Sequence, residues 1–212
     1  MYLEYGEKEV DYLKKKDKKF AEVIDQIGPI QRTVDPDLFS AVLHHIIGQQ
    51  ISMKAQKTIW RRMQTSLGNV TPQTVSRAGI KKIQAFGMSF RKAEYICNFS
   101  EQVASGQFDL ERIRELPDDE AIKALSSLKG IGVWTAEMIL LFSLERPDIL
   151  SYDDLAIQRG LRMIYHHRRI TRPLFEKYRR RFSPYGSIAS LYIWAVATGS
   201  IPEMHDYAPK KK

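Results

Sequence analysis

The chain has 212 residues, 43% hydrophobic and 27% charged, which is ordinary globular usage and argues against wholesale disorder. Its densest apolar run, Met138-Ile139-Leu140-Leu141-Phe142, is too short to cross a bilayer, and Met1 to Glu7 carry no basic segment leading into an apolar core, so neither a membrane span nor a secretory signal is expected. A formal charge of +8 favours a polyanionic partner such as nucleic acid, while the lone Cys97 excludes an intrachain disulfide framework and a four-cysteine iron–sulfur cluster and suits a reducing, cytoplasmic compartment.

In chain order, Lys14-Lys15-Lys16-Asp17-Lys18-Lys19 reads as a solvated helix face, with phosphate binding as the alternative. Asp35-Pro36 gives a cap-then-proline start, followed by Leu38, Phe39, Val42, Leu43, Ile46 and Ile47 at core-facing helical spacing. Trp60 reads as core, and Thr71-Pro72 repeats the start signal. Asp118 or Asp119 opens a helix carrying Ile122, Leu125 and Leu128, after which Gly130-Ile131-Gly132 makes a tight hairpin. The next helix runs through Met138 to Leu144 until Arg146-Pro147 breaks it. Ile149 to Tyr152 then lead to Asp153-Asp154 and a helix bearing Leu155, Ile157, Leu161, Ile164 and Tyr165. Arg179-Arg180-Arg181 is a solvated face or a flank for a nucleic-acid backbone, and the tail Lys210-Lys211-Lys212 reads as frayed. No stretch alternates apolar with polar, so the fold class is all-α, with about eight to eleven helices at average helix length. Adjacent histidines, His44-His45 and His166-His167, point to different helix faces, and no cluster has zinc spacing, so no transition metal is expected.

The stretch Leu125 to Ala136 carries the most chemistry. Two glycines one residue apart allow backbone geometry closed to other residues and remove side chains that would hold a ligand away from the main chain. The amides opening the next helix are unpaired at the positive end of its dipole, which suits a phosphate, while Ile131 can pin the turn into the core. Downstream, Asp153-Asp154 stands at another helix start, where negative charge is also stabilised. On its own an aspartate there is most often just a cap.

The run Leu128-Lys129-Gly130-Ile131-Gly132-Val133-Trp134-Thr135-Ala136, followed by Asp153-Asp154, resembles the helix-hairpin-helix DNA glycosylase superfamily over roughly residues 36 to 200. Ile47 to Ser52, Gly87 to Glu94 and Tyr192-Ile193-Trp194 look most like its alkylbase branch, the family of bacterial 3-methyladenine DNA glycosylase II. The resemblance implies an all-α protein of two helical subdomains with the site in a cleft between them: residues 36–146 ending in the hairpin, and 147–212 with the catalytic aspartate, joined by an N-terminal segment, 1–35. The β-rich N-terminal domain of some relatives is not expected.

In the family, the aspartate ahead of a Leu-x-Ile-x-Arg pattern is catalytic, which points to Asp154 before Leu155-Ala156-Ile157-Gln158-Arg159 and leaves Asp153 as cap or supporting group. The aromatic candidates for the base pocket are Trp194, Trp134 and Tyr152; the resemblance matches Trp194 to a pocket tryptophan and Gln49 to a residue near the pocket, and Gln50, Lys129, Gly130, Gly132, Thr135, Arg91 and Lys92 are expected against DNA. Gln50 departs from the apolar wedge of glycosylase II. Main-chain oxygens of Ser126, Leu128 and Ile131 would hold a structural Na+ or K+, with no cofactor for catalysis. The position of Trp134 holds a Schiff-base lysine in strand-cutting members; indole cannot supply that amine, and Lys129 is one turn early, so a monofunctional enzyme is expected. The implied activity is excision of alkylated purines from double-stranded DNA by a monomer, through base flipping and carboxylate stabilisation of a cationic sugar. Alternatives are the same scaffold acting on deaminated or mismatched bases, or a non-catalytic DNA-binding module that would have no use for Asp154.

Overall fold

The computed structural model describes residues 1–209; the lysine tail lies outside them. Among the described residues the chain is all-helical apart from a single antiparallel bridge between Tyr2 and Thr33. It divides into two compact units, Met1–Val34 with Glu145–Lys212, and Asp35–Leu144.

The first unit opens with α1 (Glu7–Lys16) and α2 (Lys18–Ile27). The basic run is therefore not one face. Asp17 splits it, because its carboxylate accepts from the Phe20 amide at 3.0 Å to start α2 and pairs with the Arg181 guanidinium. Leu13, Phe20 and Val23 are fully buried from these two helices.

The second unit contains α3 (Leu38–Gly48), α4 (Met53–Leu67), α5 (Pro72–Gln84, interrupted at Gly79), α6 (Phe90–Ala104), α7 (Leu110–Glu115), α8 (Asp118–Ser126) and α9 (Val133–Ser143). The cap of α3 is Asp37, not Asp35: Asp37 reaches the Phe39 amide at 3.2 Å and accepts from Ser40 Oγ at 2.5 Å, whereas Asp35 contacts His44 Nδ1 at 2.9 Å. Thr71 caps α5 and Pro72 follows as its first residue. Trp60, read as core, is only half-buried, edge-on to the His44 ring at 4.0 Å. The α9 helix is apolar nearly all round and central, packed against α3 and α8. It ends at Ser143, ahead of Arg146-Pro147, and the left-handed Glu145 (φ 52°) turns the chain.

The first unit resumes with α10 (Leu155–Tyr165), α11 (Arg172–Phe182) and α12 (Gly186–Ala197). Among the described residues the helices number twelve, more than the expected eight to eleven, because Asp17 divides one stretch and α7 is only six residues. Here α12 is the central apolar helix, packed against α10 and α2, and Phe20 meets Phe182 at 4.5 Å. Gly160 lets α10 and α12 cross closely, since a Cβ there would lie 2.3 Å from the Ile193 carbonyl oxygen.

Within the second unit His45 is pushed down to about 4, first by burial and next by His44, with Asp35 opposing. A histidine depressed below its unfolded value of 6.5 stays neutral in the fold while the unfolded chain takes up a proton. Stability should be full above pH 6.5 and decline as pH falls toward about 4, by up to about 3 kcal/mol. Thermal unfolding of the wild type and His45→Gln across this range checks it; an equally steep pH dependence in the variant would assign the loss elsewhere.

Candidate functional site

In the second unit, Leu128 and Ile131 close the hairpin through an Ile131 N–H bond to the Leu128 carbonyl at 3.1 Å, and both side chains are buried. Gly130 has φ 88°, and a Cβ there would meet the Tyr95 ring at 2.4 Å, so two independent constraints demand glycine. Gly132 precedes α9 in extended geometry with no side-chain cap, and the exposed Val133 and Trp134 follow it. The first turn of α9 thus begins without a side-chain cap from Gly132, at the positive end of the helix. Lys129 is exposed.

A groove of about 640 Å³ runs beside the hairpin, lined by Gln49, Gln50, Ser89, Arg91, Lys92, Tyr95, Gly130, Ile131, Gly132 and Trp134. Five residues expected against DNA, Gln50, Arg91, Lys92, Gly130 and Gly132, thus share one concave surface. Two expectations change in detail. Gln49 donates from Nε2 to the Gly130 carbonyl at 2.7 Å, which ties it to the hairpin. Lys92 is half-buried and donates to the carbonyls of Ile47 at 2.8 Å and Gln49 at 2.5 Å; burial lowers its pKa. It serves the end of α3 rather than projecting into solvent as a phosphate ligand would. Thr135 is 7% exposed, so its main-chain amide in the first turn of α9 is better placed for a ligand than its hydroxyl. Arg91 is exposed and donates from Nε to the Tyr95 hydroxyl at 2.5 Å. Tyr95 went unnoticed in the sequence, although an aromatic four residues after Arg91 falls on the same helical face.

The proposed cation ligands are chemically coherent. Leu128 already accepts one bond, but a carbonyl oxygen has a second lone pair. Ser126 adds a buried hydroxyl with no hydrogen-bond partner in the same turn. An all-oxygen, uncharged set suits a hard alkali cation.

In the first unit, Asp154 is itself the cap of α10, so Asp153, which is exposed, does not serve as the cap. Asp154 Oδ1 accepts from the amides of Ala156 at 2.8 Å and Ile157 at 2.9 Å, and Oδ2 accepts from the Trp194 indole at 3.2 Å. Asp154 as a whole is 7% exposed. Trp194, half-buried on α12, thus acts on the carboxylate, a contact that sequence spacing could not reveal across 40 positions. Tyr152 lies edge-on to Phe175 at 5.2 Å with Arg172 over its ring at 4.9 Å. Its carbonyl accepts from Gln158 Nε2 at 2.7 Å, fixing the turn that carries Asp154 to the helix it caps. The Gly160 crossing sets α12, and with it Trp194, against α10.

The model of the HhH-GPD superfamily base excision DNA repair proteins matches residues 43–184. DNA-3-methyladenine glycosylase 1 of Schizosaccharomyces pombe is 28% identical over 182 residues, covering 84% of this chain and 80% of the relative. Among solved structures, a DNA-3-methyladenine glycosidase from Bacillus halodurans matches with a TM-score of 0.87 and 30% identity, covering 98% of this chain and 97% of that one. The Schizosaccharomyces pombe 3-methyladenine DNA glycosylase in complex with abasic DNA matches with a TM-score of 0.75 and 27% identity, over 90% of this chain and 97% of that one.

Gly160→Ala should force α10 from α12 and destabilise the protein by about 1–3 kcal/mol. Denaturant unfolding checks this, and a variant as stable as the wild type would mean that the crossing is not tight in solution.

Proposed function

The chain belongs to the HhH-GPD superfamily of base excision DNA repair proteins, and from that premise we propose that it is a monofunctional DNA glycosylase excising alkylated purines of the 3-methyladenine type. The observation that carries the reading is Asp154, a buried carboxylate held by two helix amides and an indole N–H. A dedicated DNA-binding module has no need of such a group.

A stacked base cannot be reached, so the damaged nucleotide is rotated out of the duplex, at a cost of a few kcal/mol. The N-glycosidic bond then breaks, its electron pair leaving with the base and positive charge developing on the sugar. Asp154 stabilises that charge, and water adds to the sugar carbon with loss of a proton. A ring-alkylated purine is already cationic, so its departure requires no general acid, and an aromatic face such as that of Tyr152 would attract it before the bond breaks. With an indole in place of a Schiff-base amine at Trp134, the product is an abasic site in an uncut strand.

The hairpin amides and Lys129 would hold the DNA backbone. A Na+ or K+ on the main-chain oxygens of Ser126, Leu128 and Ile131 would add positive charge beside a phosphate. No other cofactor enters the reaction. The enzyme would act as a monomer in the cytoplasm, on the nucleoid if the host is bacterial, a reading supported by its nucleic-acid substrate and its single, buried cysteine.

The test is base release from a methylated duplex across a panel of damaged bases. The wild type should release 3-methyladenine and leave strands that break only after alkali; Asp154→Asn should be slower by about 10²–10³-fold. Equal release by both proteins would refute the role of Asp154, and tight binding without release by either would favour a binding module. Lys129→Ala should weaken binding uniformly across sequences and lower the slope of log affinity against log salt by about one.

A further inference from the structure

Gln50 is exposed and left-handed, with φ 56°. For a residue with a side chain that conformation is unfavourable, and it persists only where its surroundings fix it. What fixes it comes from another helix. The α3 helix ends at Gly48, so its last carbonyls have no partners within the helix. Lys92, 43 and 45 residues away in sequence, donates to two carbonyls at this end, those of Gln49 and Ile47. Between them the Gly48 carbonyl accepts from the Ile51 amide at 3.4 Å, on the far side of Gln50. Three successive carbonyls leading into Gln50 are therefore engaged. Lys92 is itself fixed, because its own amide donates to the Ser89 cap of α6 at 3.3 Å. The held segment is also joined to the hairpin, since the side chain of Gln49 donates to the Gly130 carbonyl at 2.7 Å. Gln50 and Gly130 line the same groove, so a duplex seated on the hairpin meets Gln50.

We propose that Lys92 is a positioning residue: its ammonium clamps the end of α3 so that Gln50 is presented to the duplex in register with the hairpin. The inference rests on the glycosylase reading above. It assigns to a lysine on a basic protein a role that is not phosphate binding, and the two roles differ in measurable ways. A phosphate ligand contributes to counterion release, whereas an internal clamp does not. A clamp acting through Gln50 also loses its effect once the Gln50 side chain is gone.

The experiment uses the full chain and a methylated duplex, with Lys92→Met, Lys92→Arg, Gln50→Ala and the double variant Lys92→Met/Gln50→Ala, each confirmed to unfold cooperatively. Single-turnover base release by Lys92→Met should be slower by about ten- to a hundredfold, as expected for misplacement of a group by an ångström or so. Lys92→Arg, which keeps two or more donors, should recover most of the rate. The double variant should lie within about twofold of Gln50→Ala, because the two act as one unit. The salt slope of duplex binding by Lys92→Met should match the wild type.

An unchanged rate in Lys92→Met, a multiplied loss in the double variant, or a salt slope lower by about one would overturn the proposal. Failure of the wild type to release any alkylated base would instead remove the glycosylase reading. The clamp then stands or falls by hydrogen exchange: residues 48–51 should exchange faster in Lys92→Met than in the wild type, and equal rates would refute it whatever the activity.

Discussion

The arrangement turns on how a carboxylate is kept inside the protein. Removing a charged oxygen from water is costly unless hydrogen bonds replace those it gave up. Asp154 obtains them from the first turn of α10, whose amides would otherwise lack partners, and from the indole of Trp194. Both sources are neutral, so they hold the group and stabilise negative charge without cancelling it. Placement therefore depends on the relation between α10 and α12, which in turn depends on Gly160 having no side chain where the helices cross.

The two units use the same physical resource in opposite ways. The α10 helix gives its first amides to a side chain of its own, and so builds a fixed anion into the chain. The α9 helix, preceded by Gly132, has no side-chain cap, and its first turn remains able to receive an anion from outside. Both helices are 11 residues long. The difference lies in one position, aspartate in one case and glycine in the other. On the proposed function, the same end-of-helix electrostatics would serve in one case to stabilise a cation and in the other to accept a phosphate.

Much of this was legible in the sequence, for reasons that explain what was not. The α10 stripe, the Thr71-Pro72 start and the Gly130-Ile131-Gly132 turn are local signals, set by propensity, caps and periodicity. The misplaced α3 cap was also a local matter, a choice between two aspartates two residues apart that only the reach of a carboxylate to the Phe39 amide decides. The contacts missed altogether are long-range. Trp194 on Asp154, Tyr95 beneath Gly130 and Lys92 on the end of α3 join residues 35 to 45 positions apart, and nothing in either partner's neighbourhood announces the other. Gly160 did leave a trace, since a glycine inside an amphipathic helix is unfavourable by about 1 kcal/mol and invites a packing explanation.

On the proposed reading, the electrostatics of the site and the choice of substrate explain each other. Among the donors to Asp154 are two main-chain amides and an indole, which fix where its oxygens lie. A neutral base would need a proton, or hydrogen bonds matched to its edge, before it could depart. A base already carrying positive charge from alkylation needs neither. It asks only that the sugar left behind be met by negative charge, and that an aromatic face welcome it while the bond still holds. Selection then falls largely on the weakness of the damaged base's own bond and less on a pocket shaped to one base. On that reading a carboxylate held as Asp154 is meets the chemical demand of an alkylated purine without a proton donor of its own.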